Sequence, residues 1–382
     1  MGKAAEYVRR LVPAVCDVSV TNVCNATCDF CSFAHDKDFV QERRWIDQAA
    51  LARALPILHR RGIRYVNFQG GEPLLHPAIE RLVADAREAG MRPAVITNGW
   101  LLPQRIGGLL RAGLQMLLVS IDSHSLDDHE RNRGLRGLGD RIRAGVAIAR
   151  QEGIPIFASV TVSRLVKYES LPAVLGDLGF DAAIFSYPRK KPFASSSLVF
   201  SESSSLIDFD SAELIDALDE IKALKRRFRV LNPLASIEDV QRHIRGEEEV
   251  FPCIGGHKYF YLDWNLDIWR CEAWSEPLGS VFDLDHIEDR RDRCNACTMA
   301  CYRDNSVLMH VGVALEDAAV GVIEGRLGDA VRAIFRRSVA SSVLAVAGNA
   351  AEVSRLVGLR RRGRRAKATA EMMAAKVSSP RG

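Results

Sequence analysis

Residues 15–31 read VCDVSVTNVCNATCDFC, a strand-like run of alternating apolar residues that is followed at once by three cysteines. Cys24, Cys28 and Cys31 are separated by three and two residues. Three thiolates at this spacing can each ligate one corner of a cubane iron–sulfur cluster, which leaves the fourth iron open to chemistry. The alternative is a zinc site, although zinc is usually held by paired C-x2-C hooks that supply four ligands.

Short β-branched runs alternate with amphipathic segments from about residue 14 to residue 188, which is typical of repeated β-α units around a parallel sheet. We predict strands at 15–21, 64–69, 94–97, 116–121, 156–162 and 182–186, and helices at 48–60, 77–89, 104–112 and 139–152. A closed eight-unit barrel needs about 250 residues. The predicted fold class is therefore α/β, with a partial (β/α)6 barrel of the TIM type.

Polar residues follow several predicted strands, at the edge where barrel enzymes build their sites. Gly70-Gly71-Glu72-Pro73 follows the second strand, Ile96-Thr97-Asn98-Gly99 closes the third, and Ser120 and Asp122 end the fourth. Each of these features alone is also typical of a turn or a strand-end cap. Their order behind the cysteine loop favours a ligand site.

At these residues the chain resembles the radical S-adenosylmethionine (SAM) superfamily, whose Cys-x3-Cys-x2-Cys loop has an aromatic residue before the last cysteine, here Phe30. The resemblance implies an oxygen-sensitive [4Fe–4S] cluster on Cys24, Cys28 and Cys31 that binds SAM and cleaves it reductively to a 5′-deoxyadenosyl radical. It also implies a reducing partner such as flavodoxin or ferredoxin.

By the same resemblance, Gly70, Gly71, Glu72 and Pro73 would hold the amino group of SAM. Asn98, Ser120 and Asp122 would lie near its ribose or methionine portion, and Arg133 would pair with its carboxylate. For Arg133 a solvated position at a helix end is an equal alternative. No catalytic acid, base or hydrogen donor is identified; Tyr187, Tyr259, Tyr261, Asp263 and Cys271 are conceivable donors.

A second cysteine set follows the barrel region, with members at Cys253, Cys271, Cys294, Cys297 and Cys301. It resembles the SPASM or Twitch auxiliary-cluster modules, although Leu266 replaces the glycine usual five residues before the second cysteine. We predict one auxiliary [4Fe–4S] cluster and one surplus cysteine, with a structural zinc site as the alternative. Cys294 to Asp304 and the helical tail also weakly resemble radical SAM enzymes of hopanoid synthesis.

We predict four segments: a partial barrel at 1–193, a linker at 194–250, a small cysteine-rich auxiliary-cluster module at 251–305 and a helical tail at 306–382. The linker contains a predicted helix near 211–229. The tail ends in a basic run at 360–367, and we expect its last fifteen residues to be disordered. Ile323, Leu327, Val331, Ile334 and Phe335 share one helical face near Arg326, Arg332, Arg336 and Arg337. Such a face favours peripheral contact with an anionic membrane, although packing on the barrel is the commoner use.

The chain has 382 residues, nine cysteines and a net charge of +4, without a secretory leader or a run of about 18 apolar residues. These features predict a cytoplasmic protein, peripheral at most to the inner membrane surface, and do not favour a nucleic-acid partner. Three hypotheses remain: a radical SAM enzyme of a small or lipid-like, for example isoprenoid, metabolite; a SPASM-type peptide-modifying maturase; and a non-catalytic zinc-binding protein.

Overall fold

The computed structural model describes residues 3–34, 42–188 and 204–349. Nine strands form one sheet in the order β6-β5-β4-β3-β2-β1-β7-β8-β9. The strands are β1 (Ala14–Ser19), β2 (Ile63–Gln69), β3 (Arg92–Thr97), β4 (Met116–Ile121), β5 (Ile156–Thr161), β6 (Ala182–Ser186), β7 (Tyr259–Leu262), β8 (Asp267–Trp269) and β9 (Gly279–Ser280). The first six are parallel neighbours, as predicted.

Eleven helices with defined bounds lie within the described residues. They are α1 (Lys3–Val8), α2 (Gln48–Arg60), α3 (Ile79–Glu88), α4 (Leu102–Arg111), α5 (Leu126–Arg133), α6 (Leu138–Gln151), α7 (Leu171–Asp177), α8 (Ser211–Leu224), α9 (Leu234–Ile244), α10 (Ala300–Ile323) and α11 (Leu327–Ile334). Helices α2 to α7 connect the six parallel strands. Alternate strand residues such as Val66 and Phe68 pack under these helices and are fully buried. The core therefore lies between the sheet and its helices.

The barrel is open. Within the described residues β6 pairs with β5 alone among the strands, and no strand joins it to β1. Its free edge is partly covered by the chain that follows α8, where Ala183 donates to the Arg229 carbonyl and accepts from the Leu231 amide, both at 2.9 Å. The helix predicted at 211–229 ends at Leu224 because the following residues turn to reach this edge.

The sheet continues past the barrel into the cysteine-rich region. β7 lies parallel to β1, and β8 and β9 add antiparallel strands outside it. The predicted boundary at residue 250 stays a prediction, but the residues after it share a sheet with the barrel. α10 begins at Ala300, so that Cys301 lies in its first turn.

The C-terminal part is helical as far as it is described: α10, α11 and a further segment at 337–349. The basic run and the predicted disordered end lie outside the described residues. We expected no candidate membrane span, yet α10 is long and apolar enough by length and composition, with half of its most apolar window buried in the protein. Core helices of soluble proteins share these properties.

Candidate active site and second cysteine group

The cysteine loop leaves the end of β1 and is bonded to the turn that follows β2. The amide of Gly71 donates to the Thr21 carbonyl and that of Glu72 to the Val23 carbonyl, both at 2.8 Å. A Cβ atom built on Gly70 or Gly71 would lie 2.3 or 2.2 Å from these same carbonyl oxygens. The glycines are therefore required by the close approach of two backbone segments.

Glu72 is fully buried and joins three elements of the site. Its carboxylate accepts hydrogen bonds from Thr97 Oγ1 at 2.6 Å, the Asn98 amide at 2.7 Å and the Leu74 amide at 3.0 Å. Burial raises the pKa of Glu72, and these donors oppose the increase. Both carboxylate oxygens thus have partners inside the protein, and the predicted contact with a SAM amino group stays a prediction.

Asn98 and α5 hold the cysteine loop from the other side. Asn98 Nδ2 donates to Asn25 Oδ1 at 2.8 Å, between Cys24 and Cys28. The Thr27 amide donates to the Arg133 carbonyl at 2.9 Å, and the Asp29 amide to Asn132 Oδ1 at 3.2 Å. The loop therefore has fixed partners on three neighbouring elements.

Arg133 and Asp122 form a buried ion pair beside the cysteines, with Arg133 Nη2 2.6 Å from Asp122 Oδ1. Asn132 Nδ2 donates to the other oxygen at 2.9 Å. Burial alone would raise the pKa of Asp122, but Arg133 and His129 together outweigh it and hold this pKa below its ordinary value. The alternative of a solvated Arg133 is wrong, because its side chain is 8% exposed, and its predicted contact with the SAM carboxylate stays a prediction.

The thiols of Cys24 and Cys28 are protonated at neutral pH in the metal-free chain. Burial raises the pKa of each to about 12, while Arg133 lowers both. Metal binding would therefore displace their protons. All nine cysteines lie within the described residues, and none of them forms a disulfide. A set of three such thiols beside a buried guanidinium suits an anionic iron–sulfur cluster.

The remaining predicted residues border this region. Phe30 is buried against Ile207, and Pro73 begins a short 3-10 turn behind Glu72. Ser120 is half-buried on β4 next to Ser159 of β5. Sequence reasoning did not single out Asn25, Thr27 or Asn132, because their importance lies in contacts with residues up to a hundred positions away.

The second cysteine group lies beside β7 and β8, where the sheet extends past β1. Cys271, Cys294 and Cys297 line a cavity of about 140 Å³ together with Ala273, Trp274, Ser275 and Ala296. Burial raises the pKa of Cys253 to about 11, and the thiols of Cys297 and Cys294 add to the increase. The Cys253 thiol therefore lies close enough to the cysteines of this cavity for their charges to affect its pKa.

Cys301 has a different set of neighbours. Like Cys253, it does not line the cavity. Burial raises its pKa, and the next contributions come from Glu272 and Asp17, which faces the barrel interior from β1. Among the donors considered above, Tyr259 donates to both oxygens of Asp17 at 3.1 Å.

Two buried arginines flank the second cysteine group. Arg303 donates twice to the Cys297 carbonyl, at 2.9 and 2.7 Å, and is paired with Glu249. Arg270 is 2% exposed and pairs with Asp292, and the nearby Cys294 helps to raise its pKa. These guanidinium groups offer positive charge to a set of thiolates.

Leu266 occupies the position at which the auxiliary-module pattern has glycine. It has a φ of 66°, the left-handed conformation that glycine adopts without strain. Its side chain is nevertheless buried in the main core. The turn between β7 and β8 thus keeps the conformation expected of glycine, while leucine adds apolar packing.

No three His, Cys, Asp or Glu side chains in the described ranges converge on one ion position. A sequence profile of the Radical SAM superfamily matches residues 18–173. This span contains the loop, the glycine turn, Asp122 and Arg133. The prediction of a radical SAM domain, whose family members are enzymes that use a [4Fe–4S] cluster and SAM, is confirmed.

Similar proteins include GTP 3',8-cyclase from Chlorobaculum tepidum, which is 33% identical over 124 residues. An AdoMet-dependent heme synthase from Methanosarcina barkeri is 30% identical over 154 residues. These matches cover 32% and 38% of this chain, and 34% and 41% of the relatives. The chain thus spans well under two thirds of each relative.

Two solved structures share the fold at low sequence identity. Streptococcus suis SuiB bound to S-adenosylmethionine has a TM-score of 0.51 at 16% identity, over 68% of this chain and 60% of that one. Native anSMEcpe with bound AdoMet has a TM-score of 0.53 at 11% identity, over 91% and 99%. The predicted fold class, a partial barrel with C-terminal helices, is confirmed.

Proposed function

Since residues 18–173 belong to the radical SAM superfamily, we propose that this chain is a SAM-cleaving enzyme whose cluster is held by Cys24, Cys28 and Cys31. One observation carries the proposal: the loop with these cysteines is bonded on three sides to the glycine turn, Asn98 and α5. When bound, the reduced cluster supplies an electron for the reductive cleavage of SAM.

The protein's own residues prepare this site. Arg133 lies where it offsets the negative charge of the Cys24 and Cys28 thiolates, and Asp122 keeps the guanidinium in place. Glu72 fixes the distance between the ends of β2 and β3. Because the site is already bonded together, little ordering is needed when the cluster and SAM bind.

For the second group we propose an auxiliary [4Fe–4S] cluster on Cys253, Cys271, Cys294 and Cys297. Cys271, Cys294 and Cys297 line one cavity, and the thiols of Cys297 and Cys294 help to raise the pKa of Cys253. The flanking Arg270 and Arg303 also support this choice. Cys301 is then the surplus cysteine. The alternative zinc site would use the same thiols, and metal analysis distinguishes the two.

We propose a small or lipid-like metabolite as the substrate and flavodoxin or ferredoxin as the electron donor. Exposed apolar side chains on the C-terminal helices support a lipid-like substrate. A peptide substrate is the competing hypothesis, and SuiB, whose structure with the precursor peptide SuiA has a TM-score of 0.51, shares the fold.

The test is anaerobic reconstitution of the full chain, with iron and sulfide measured and dithionite-driven release of 5′-deoxyadenosine assayed. Wild type should hold about eight irons and the Cys24/Cys28/Cys31→Ala variant about four, without cleavage. Single Cys→Ala changes at the four auxiliary positions should lower iron content, whereas Cys301→Ala and Cys16→Ala should not. Bound zinc without sulfide, and no 5′-deoxyadenosine, would refute the proposal.

A further inference from the structure

Exposed apolar side chains are concentrated in the C-terminal helices. Of the sixteen large apolar side chains that are exposed within the described residues, ten lie between Leu315 and Val346. Isolated exposed apolar residues are ordinary on a protein surface, but a contiguous patch marks an interaction site. The described part of the barrel, in contrast, shows only a few such residues, for example Trp45 and Ile148.

The orientation of α11 is the reverse of that of an ordinary surface helix. Its buried residues are Ala330 and Ala333, which pack against Ala318 of α10. The larger apolar side chains point outward: Leu327 is 63% exposed, Val331 56%, Ile334 39% and Phe335, just after the helix, 82%. A helix that only covered a core would bury these side chains and expose the alanines.

The helical segment at 337–349 repeats this arrangement. Ser342 Oγ donates to the Val307 carbonyl at 2.6 Å and accepts from the Val311 amide at 3.0 Å. Ser338 Oγ lies 2.8 Å from His310 Nε2. The segment is thus attached to α10 through buried hydroxyls, while Val343, Leu344 and Val346 are exposed.

Positive charge accompanies the apolar side chains. Arg332, Arg336 and Arg337 lie in or just after α11 and are exposed. The 33 residues after Asn349 contain nine Lys or Arg and two Asp or Glu, a net charge of +7, so that residues 1–349 carry a net charge of −3. The basic excess of the chain therefore follows directly on the exposed apolar surface.

We propose that this surface, the apolar face, docks on an anionic lipid bilayer. It consists of Leu327, Val331, Ile334, Phe335, Val343, Leu344 and Val346. The apolar side chains would enter the boundary between headgroups and acyl chains, and the arginines would contact anionic headgroups. The charge pattern favours this occupant over a second copy of the chain, whose own basic segment would repel it. The proposal does not depend on the radical SAM activity.

The test is co-sedimentation of the full-length, metal-free chain with vesicles of phosphatidylcholine, or of equal parts phosphatidylcholine and phosphatidylglycerol. Wild type should bind the anionic vesicles, and binding should fall as salt rises. The variant Leu327→Ser/Val331→Ser/Phe335→Ser should lose binding by more than tenfold, since each apolar side chain contributes to the transfer from water. Each Arg→Gln change at 332, 336 or 337 should weaken it roughly fivefold.

The matched control is Ile148→Ser, which removes an exposed apolar side chain from the barrel helix α6 and should leave vesicle binding unchanged. Circular dichroism verifies that each variant is folded. Equal binding by wild type and the triple serine variant would overturn the proposal, as would absence of binding to anionic vesicles. So would a wild-type dimer on size exclusion that the serine changes dissociate, because it would identify a second copy as the occupant.

Discussion

The ion pair between Asp122 and Arg133 offers the sharpest test of how this site is held. Asp122 is fully buried and Arg133 is 6% exposed, with 2.6 Å between their charged atoms. The change Asp122→Asn keeps the shape but leaves a guanidinium buried without its counter-charge. Breaking a buried pair in this way costs about 3–5 kcal/mol.

A matched control lies on the same helix. Asp128 and Arg131 are also 2.6 Å apart, but their side chains are 37% and 75% exposed. Asp128→Asn should therefore cost less than about 1 kcal/mol, because solvent screens an exposed pair. The two changes are chemically identical and differ mainly in burial.

The assay is thermal unfolding of the metal-free protein followed by circular dichroism. At about 2 °C per kcal/mol for a large domain, Asp122→Asn should lower Tm by at least about 6 °C and Asp128→Asn by about 2 °C or less. Adding Arg133→Met to Asp122→Asn should recover part of the loss, since no buried charge then lacks a partner. Equal shifts for the two Asp→Asn variants would refute the reasoning.

Three further predictions concern the same framework. Gly71→Ala places a Cβ 2.2 Å from the Val23 carbonyl oxygen and should reduce the reconstituted iron content by about half, because one of two clusters would be lost. The control Gly176→Ala has open space around its added Cβ and should leave the iron content unchanged. Burial raises the pKa of Asp304 to about 7, so the folded chain binds an extra proton and wild type loses stability as pH rises from about 4 to about 7. Asp304→Asn lacks this titration, so its Tm relative to wild type should rise across the same window. A constant difference in Tm would contradict the prediction. Leu266→Gly should lower Tm. Loss of a buried leucine costs about 2–5 kcal/mol, whereas relief of the left-handed backbone conformation returns only about 1–2 kcal/mol. An increased Tm would show that the backbone strain is the larger effect.

The six barrel strands could be predicted because each carries a local signal. Alternating burial along β4, and amphipathic helices between strands, produce patterns that a window of ten or so residues contains. Glu72, Thr97 and Asn98, which follow two of these strands, lie together because parallel strands bring their carboxyl ends to one edge. Their role in SAM binding stays a prediction. Local pattern and tertiary structure agree in this half of the chain.

The partners of the site residues could not be predicted in the same way. Arg133 was expected either to meet a ligand or to face solvent, and the structure pairs it with Asp122 inside the protein. Asn25 and Asn98 are 73 positions apart in the chain, and the sequence around either residue does not identify the other as its hydrogen-bond partner. Such pairings depend on the packed backbone, for which a single sequence gives no periodic signal.

The pairing of β7 with β1 is the largest structural feature that was not predicted from the sequence. It connects the two cysteine groups. β1 leads into the loop with Cys24, and β7 follows Cys253 by a few residues, so one ladder of hydrogen bonds lies between them. Across this ladder Tyr259 donates to Asp17, whose pKa burial raises to about 6. Because both groups are attached to adjacent strands, a change in packing at Tyr259 should disturb the second group and the first loop together. The cysteine-rich region is therefore an extension of the barrel sheet, and the metal centre proposed there is expected to have a fixed separation from the proposed SAM site.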